Sequence, residues 1–406
     1  MTTTDVTPAP DTKRKLPPGW RWAPLRQVCD DAIETRDPRS EPHKLFRYID
    51  ITSVDNVAKR IVSTRTLLGR DAPSRARQVV LAGDVIISTT RPNLNAAALV
   101  QPDLDNQICS TGFCILRTKN DLDRDYLFAS VRSKEFVENL SVLVKGALYP
   151  AVTDKQVRAQ FIPLPPLDEQ KRIAAILNEQ MAAVERARAA AEARLEAARA
   201  LPAAYLRAVF SSPEAQHWPT TRLGDLCDFQ GGTQPPKSAF KHRPHPGYVR
   251  LLQIQDFKTD AYAVYVPDDS LLNKCDESDV LIGRYGASVG RILRGKAGAY
   301  NVAIVKTVPD ETAVSKNFLF FMLQGEGFQS LILEVSARSA QAGFNKGNVS
   351  ELEIPLPTLS EQERIAAQLS HHWSAVDRAC KALEEQVAVI NGLPAALLRR
   401  AFSGEL

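Results

Sequence analysis

The sequence predicts a mixed α/β (α+β) protein. Two globular domains stand in tandem, separated by two long helices that form an antiparallel coiled coil with pseudo-two-fold repeat symmetry. Three observations predict this. A helical segment occurs twice, a globular segment ahead of it occurs twice in looser form, and both helical copies carry a seven-residue apolar period.

The helical duplication is the clearest. Ile162-Pro-Leu-Pro-Pro-Leu-Asp-Glu-Gln-Lys-Arg-Ile-Ala-Ala-Ile-Leu177 recurs 192 residues later as Ile354-Pro-Leu-Pro-Thr-Leu-Ser-Glu-Gln-Glu-Arg-Ile-Ala-Ala-Gln-Leu369. The offset holds without a gap to Leu201-Pro-Ala-Ala…Phe210 and Leu393-Pro-Ala-Ala…Phe402. Ahead of each copy, Trp20…Leu25…Cys29-Asp30 corresponds to Trp218…Leu223…Cys227-Asp228, and Gly83-Asp-Val-Ile-Ile87 to Ser278-Asp-Val-Leu-Ile282. The offset drifts there, as insertions and deletions in loops require. The chain therefore divides into a leader (1–17), a first globular domain (18–161), a helical segment (162–211), a second globular domain (212–353) and a second helical segment (354–406).

Within the helical segments, prolines 165, 166 and 357 end an extended stretch. Asp168 and Ser360 are placed to cap the helices, with Ser360-Glu-Gln-Glu363 as a capping box. Leu177 and Val184, with Met181 and Leu195 beside them, lie on one seam. Leu369, Val376, Leu383 and Ile390, with Trp373 and Val387, lie on the other. This is a coiled-coil period. Small residues in the first copy stand where the second has large ones, which suggests that the two helices pack on each other. Pro202 and Pro394 are expected to stop each helix or to start a short terminal one. In the globular segments, short apolar runs such as Val85-Ile86-Ile87 and Val280-Leu281-Ile282 predict strands. Asp125–Leu140 and Asn317–Val335 predict helices.

Composition narrows the function. The chain has 406 residues, 44% of them hydrophobic. No apolar run approaches the ~18 residues of a membrane span. Residues 1–17 are Thr-, Pro- and charge-rich and predict a disordered leader without the apolar stretch of a signal peptide. The six cysteines include no C-x-x-C pair, so they predict small buried hydrophobes in a reducing cytoplasm. No phosphate-cradling Gly-rich loop with Lys, and no G-x-S-x-G, is present. His242 and His245 lack ligand partners nearby in sequence, Gly286-Ala-Ser-Val-Gly290 lacks the helix a dinucleotide site needs, and Gln234-Pro-Pro-Lys237 lacks the acid or amide and the aromatic of an amino-methyltransferase motif. The chain thus carries no evident catalytic, metal or cofactor site.

The net charge of +4 says little, but its distribution says more. Asn56–Arg70, Phe229–Gln255 and Val280–Pro309 contain cations and no acid. Such stretches suit phosphate contact, unless acids lie beside them in space. The loop after Val85-Ile86-Ile87 offers Thr89, Thr90, Arg91, Asn93 and Asn95. Its counterpart offers Arg284, Tyr285 and Ser288, then Arg291. Arg matches guanine and Asn matches adenine in the major groove. Lys145, Tyr149, Lys237, Gln341, Asn345 and Lys346 are secondary candidates.

The duplicated P-L-P…L-x-E-Q-x-R-I motif, Pro163–Ile173 and Pro355–Ile365, ends in Leu-Pro-Ala-Ala…Phe each time. In this the chain resembles the specificity subunit of Type I restriction–modification systems over essentially its whole length. The resemblance implies that each globular domain is a target-recognition domain reading one half of a split double-stranded DNA sequence. It implies that the helices space the domains and dock two methyltransferase (modification) subunits. S-adenosylmethionine would bind those partners, and restriction/translocase subunits would be a further polypeptide. The alternative is an orphan coiled-coil DNA-binding protein without methyltransferase partners.

Overall fold

The computed structural model describes residues 15–144, 150–337 and 343–406. It divides into two units, Met1–Ala191 with Gln386–Leu406, and Glu192–Glu385. Most of the expected leader lies outside the described residues. Pro17 does not: its carbonyl accepts from Trp20 N at 3.1 Å.

The first unit contains two main sheets. One has the order Arg65–Leu68, Leu45–Ile49, Gln107–Ser110, Ala76–Val80, with the middle pair parallel. The other runs Phe113–Leu116, Val85–Ser88, Ala97–Leu99, Arg60–Ile61, Val54–Asp55. Val85, Ile86 and Ile87 are all buried because both faces of their strand are covered. Ile86 joins Ile49, Val80 and Ile115 on one side. Val85 and Ile87 join Leu127, Phe136, Leu177 and Phe402 on the other. A continuous apolar run, not an alternating one, is what a two-sided burial demands.

The second unit repeats this build. Val264–Pro267, Tyr248–Leu252, Gly298–Tyr300 and Lys274–Cys275 form one sheet, again with a parallel middle pair. Cys227–Gly231, Ile304–Pro309, Leu281–Gly283 and Ile292–Leu293 form the other. Leu281 and Ile282 again face opposite cores. In each unit a strand near its start pairs antiparallel with the strand before a long helix, Arg21–Pro24 with Phe161–Leu164 and Thr220–Arg222 with Glu353–Pro355.

The helical spans expected over Asp125–Leu140 and Asn317–Val335 are present, each divided into two helices. Arg124–Ser130 is followed by Lys134–Val142, whose N-cap Ser133 accepts from Phe136 N. Lys316–Met322 is followed by Glu326–Ala337, with Gly325 between them. Five cysteines are buried and Cys380 is half-buried. Burial pushes the thiols of Cys29 and Cys227 up to about 12, so they pack as apolar groups.

The long helices span Leu167–Phe210 and Leu359–Ser403. Both run through their prolines, contrary to the expected stop at Pro202 and Pro394. At ~1.5 Å per residue the first is ~66 Å long. An internal proline costs about 3 kcal/mol. The turns beyond the prolines offset it by burying Leu206 in the second unit and Leu398, Ala401 and Phe402 in the first. Capping also differs from expectation. Gln170 N bonds Pro166 O and Gln362 N bonds Thr358 O, so the helices begin one residue early and Asp168 and Ser360 sit inside the first turn. There the Asp168 carboxylate still meets the positive end of the helix dipole.

Each unit holds a piece of both helices. In the first, Val184, Ala191 and Ile390 form one buried cluster with Val387 and Leu397 against it, an alanine meeting an isoleucine as the large-and-small pattern suggested. Leu177 is buried and Met181 lies beside it in the domain core. In the second, Arg199 bonds Glu384 at 2.7 Å and the Tyr205 and His372 rings stack at 4.5 Å. Leu369 and Trp373 pack into that domain's core, Leu195 and Val376 are buried, and Leu383 is half-buried.

Candidate nucleic-acid interface

Each domain projects a loop from the end of the doubly covered strand described above. In the first unit Thr89–Asn95 leaves Val85–Ser88. Thr89 is fixed to the sheet, its N and Oγ1 both bonding Gly112 O at 2.9 Å. Thr90 makes a β-bridge with Ala151, and Arg91 N donates to Pro150 O at 2.8 Å. Pro92–Leu94 is a single 3-10 turn, flanked by Arg91 and Asn95 in the left-handed region. Arg91 and Asn93 are exposed, Asn95 half-buried, and Leu94 46% exposed. Beside the loop lies a cleft of about 460 Å³, lined by Thr52, Asn56, Thr90, Arg91, Leu94 and Pro150 among others.

In the second unit the loop leaves Leu281–Gly283. A Cβ on Gly283 would lie 2.2 Å from Ser288 O, so only glycine lets the loop close there. Tyr285 bridges Gly343, and Arg284 Nε donates to Phe344 O at 3.0 Å. The Arg284 guanidinium lies over the Tyr285 ring at 4.9 Å, and Tyr285 is 41% exposed. Ser288 and Arg291 are half-buried in the same turn. Lys237 is exposed on another loop, Asn345 caps the helix Lys346–Ser350, and Lys346 pairs with Asp228. Lys145, Tyr149 and Gln341 lie outside the described residues.

The two loops are thus stitched to the chain in the same way, each to the segment that re-enters before a short helix. The sequence placed the loops, but not this second strand of support, because the pairing joins residues about sixty apart.

Acids do lie near part of the basic stretches. Lys306 meets Asp279 at 3.3 Å, Lys296 meets Asp260 at 2.6 Å, and Arg250 meets Asp256 and Asp260. Among the described residues Arg284, Arg291, Arg294 and Lys237 pair with no carboxylate, and neither do Lys59, Arg60 and Arg91. Arg91 in the first loop, and Arg284 and Arg291 in the second, are thus cations outside any ion pair. Such charge suits the phosphates of a duplex, and the exposed Arg and Asn groups suit base edges.

The sequence did not single out Thr52 and Asn56, which line the cleft beside the first loop, or the contact by which Lys59 Nζ donates to Asn95 O at 2.5 Å. Nor did it single out a buried glutamine in each repeat. Gln170 Oε1 accepts from Asp123 N at 2.9 Å while its Nε2 donates to Asp121 O and Pro165 O. Gln362 does the same with Ser315 N, Ala313 O and Pro357 O. The recurrence of Glu-Gln at the start of both helices was the available signal. Among the described residues no group of three His, Cys, Asp or Glu could hold a metal ion, and no helix is long and apolar enough to cross a membrane.

Residues 57–191 and 215–387 match the Type I restriction modification DNA specificity domain. The chain is 23% identical over 425 residues to the Type I restriction enzyme StySPI specificity subunit of Salmonella potsdam, spanning 97% of this chain and 90% of that one. It is 26% identical over 301 residues to the MjaVIII specificity subunit of Methanocaldococcus jannaschii, spanning 64% and 66%. Among solved structures, the HsdS subunit from Thermoanaerobacter tengcongensis shares 35% identity with a TM-score of 0.65, over 97% and 98% of the two chains. A chain from a structural study of complex assembly and conformational transition in a type I R-M system shares 35% identity with a TM-score of 0.83, over 97% and 100%.

Proposed function

Because the chain belongs to the Type I restriction–modification DNA specificity family, we propose that it reads a bipartite duplex target, one half-site per globular domain. In this reading residues 18–161 and 212–353 are the target-recognition domains, and the long helices hold them apart and dock two methyltransferase subunits. Restriction/translocase subunits join the same cytoplasmic assembly. S-adenosylmethionine belongs to the methyltransferase partners, and this chain performs no chemistry itself.

The observation that carries the reading is the repeated loop. Thr89–Asn95 and Arg284–Arg291 leave equivalent strands, are braced in the same manner, and each carry arginine outside any ion pair, yet share no side-chain pattern. Equivalent position with different chemistry is what two readers of different half-sites require. Arg91 and Asn93 are the base-reading candidates of the first loop, Arg284 and Arg291 of the second. Thr89, with its hydroxyl committed to Gly112, serves the loop's geometry.

Methylome mapping of cells with and without the gene tests the function, since a bipartite methylated motif should vanish with it. Exchanging residues 18–161 for the corresponding region of a relative should change one half of that motif and leave the other intact, because well-separated contacts act additively. An exchange that altered both halves would contradict the one-domain, one-half assignment.

A separate prediction concerns Arg91. Arg91→Ala should weaken binding to the motif by about 1–3 kcal/mol and relax discrimination at one base pair of the first half-site. Competition binding with single-base variants of the motif checks it. Unchanged affinity and unchanged discrimination would remove Arg91 from the reading set.

A further inference from the structure

Three residues with side chains adopt left-handed backbone within one neighbourhood of the first unit: Lys59 (φ 53°), Arg91 (φ 48°) and Asn95 (φ 46°). Such conformations are uncommon outside glycine, and a cluster of them marks a segment whose surroundings override local preference. Arg91 also precedes a proline, whose ring already narrows its choices. Hydrogen bonds to other segments brace this loop on either side of its turn. Arg91 N donates to Pro150 O at the front, and Asn95 O accepts from Lys59 Nζ at the rear.

The rear support is a charge without a counter-ion. Lys59 sits half-buried in the tight turn between Val54–Asp55 and Arg60–Ile61. Asp55 is close, but its Oδ1 is occupied by the amides of Val57 at 2.7 Å and Ala58 at 2.9 Å. Among the described residues no carboxylate reaches ion-pair distance of the Lys59 ammonium. The other charged group facing it is Arg132, whose guanidinium lies 4.0 Å over the Phe128 ring and whose Nε donates to Phe128 O. Arg188, on the first long helix and paired with Glu185, is a further cation near Asp55. An ammonium has three donors, and Asn95 takes one. A half-buried cation in this position gains most from an anion that enters from outside.

We propose that Lys59 both clamps the first reading loop and anchors it to DNA, its ammonium holding the Asn95 carbonyl and taking a duplex phosphate as the missing counter-ion. The inference rests on the DNA-reading assignment of this loop. It makes Lys59 a positioning residue, because it acts on the bases only through Asn95 and the turn that carries Arg91.

A pH dependence follows. Burial, aided by Arg132 and opposed by Asp55, pushes the Lys59 ammonium down to about 8 in the free protein. A phosphate beside it favours the charged form and restores the ordinary range. Binding above about pH 8 then takes up a proton, so affinity falls as pH rises. Arg132, itself lowered to about 10 by burial, keeps its charge through this window.

The test uses the full chain assembled with its methyltransferase subunits. The probes are a duplex carrying the mapped bipartite motif and a scrambled duplex of the same length, read by fluorescence anisotropy. Wild-type affinity for the motif should fall about tenfold between about pH 7 and about pH 9. Lys59→Arg, which stays charged, should bind with a flat profile across that range. Lys59→Met should bind more weakly at about pH 7, with a flat profile and a salt slope reduced by about one. If Lys59→Met fails to fold, the arginine variant still decides the matter. A wild type that prefers the motif but shows no fall with pH overturns the proposal, as does a variant that keeps the wild-type pH profile. A wild type that cannot distinguish the two duplexes at about pH 7 overturns the reading of the loop, and this proposal with it.

Discussion

Replacing Phe402 with alanine should destabilise the first unit by about 3–5 kcal/mol, the cost of removing a buried aromatic side chain without refilling its space. Phe402 is 4% exposed and meets Tyr126 edge-on, with ring centroids 5.6 Å apart. It shares a core with Leu127, Phe136 and Leu177, so it fastens the last turn of the second long helix to the first domain. Tyr126 in turn donates to Pro163 O at 2.7 Å, in the strand that leads into the first long helix. Hydrogen exchange localises the effect better than a single melting curve, because a chain of two units need not unfold in one step. Amides of Arg124–Val142 should exchange faster in Phe402→Ala. Phe210→Ala should do the same to Lys316–Ala337 in the second unit, where Phe210 packs on Phe318 and Trp218. Unchanged protection of Arg124–Val142 in Phe402→Ala would show that this helix end is not held by its aromatic ring.

Gln362→Leu should cost about 2–5 kcal/mol, since it strands one buried amide and two carbonyls that each lose a partner. Its side chain is fully buried and fills three hydrogen bonds: Ser315 N donates to Oε1 at 2.9 Å, and Nε2 donates to Ala313 O and Pro357 O. The glutamine thereby locks the entry of the second long helix to the domain that precedes it. Leucine has nearly the right volume, so the loss would report hydrogen bonding more than packing. Gln170→Leu should give the same defect in the first unit, where Asp123 N loses its acceptor. Thermal unfolding combined with limited proteolysis checks both. A change within about 0.5 kcal/mol, the range of an ordinary surface substitution, would contradict the lock.

These two anchors explain why the duplicated motif has the letters it has. Glutamine at 170 and 362 belongs to the hydrogen-bonding of a helix start. Phenylalanine at 210 and 402 belongs to a core, and in each case the core lies outside the repeat copy that carries it. Within a polar helical sequence such a glutamine has the character of an ordinary solvated residue, and such a phenylalanine that of an amphipathic helix end. Only burial distinguishes them from their neighbours.

The sequence by itself determined the tandem plan, the long helices, the seven-residue apolar period whose Val184, Ala191 and Ile390 share one cluster, and the two loops at the ends of apolar strands. Each of these is a periodic or repeated signal, and periodicity needs no knowledge of partners. Tertiary structure alone decided four things. The helices continue through Pro202 and Pro394, because packing of Leu206, Leu398 and Phe402 outweighs a local penalty. Asp168 and Ser360 lie inside the first turn, because Pro166 and Thr358 supply the starting carbonyls. Part of the basic stretches is neutralised, because Asp256, Asp260 and Asp279 fold back onto them. Lys59 is joined to Asn95 across 36 positions of sequence, a contact that no local pattern encodes. Local chemistry sets what a segment prefers. Which charge stays unpaired depends on what the rest of the chain brings beside it.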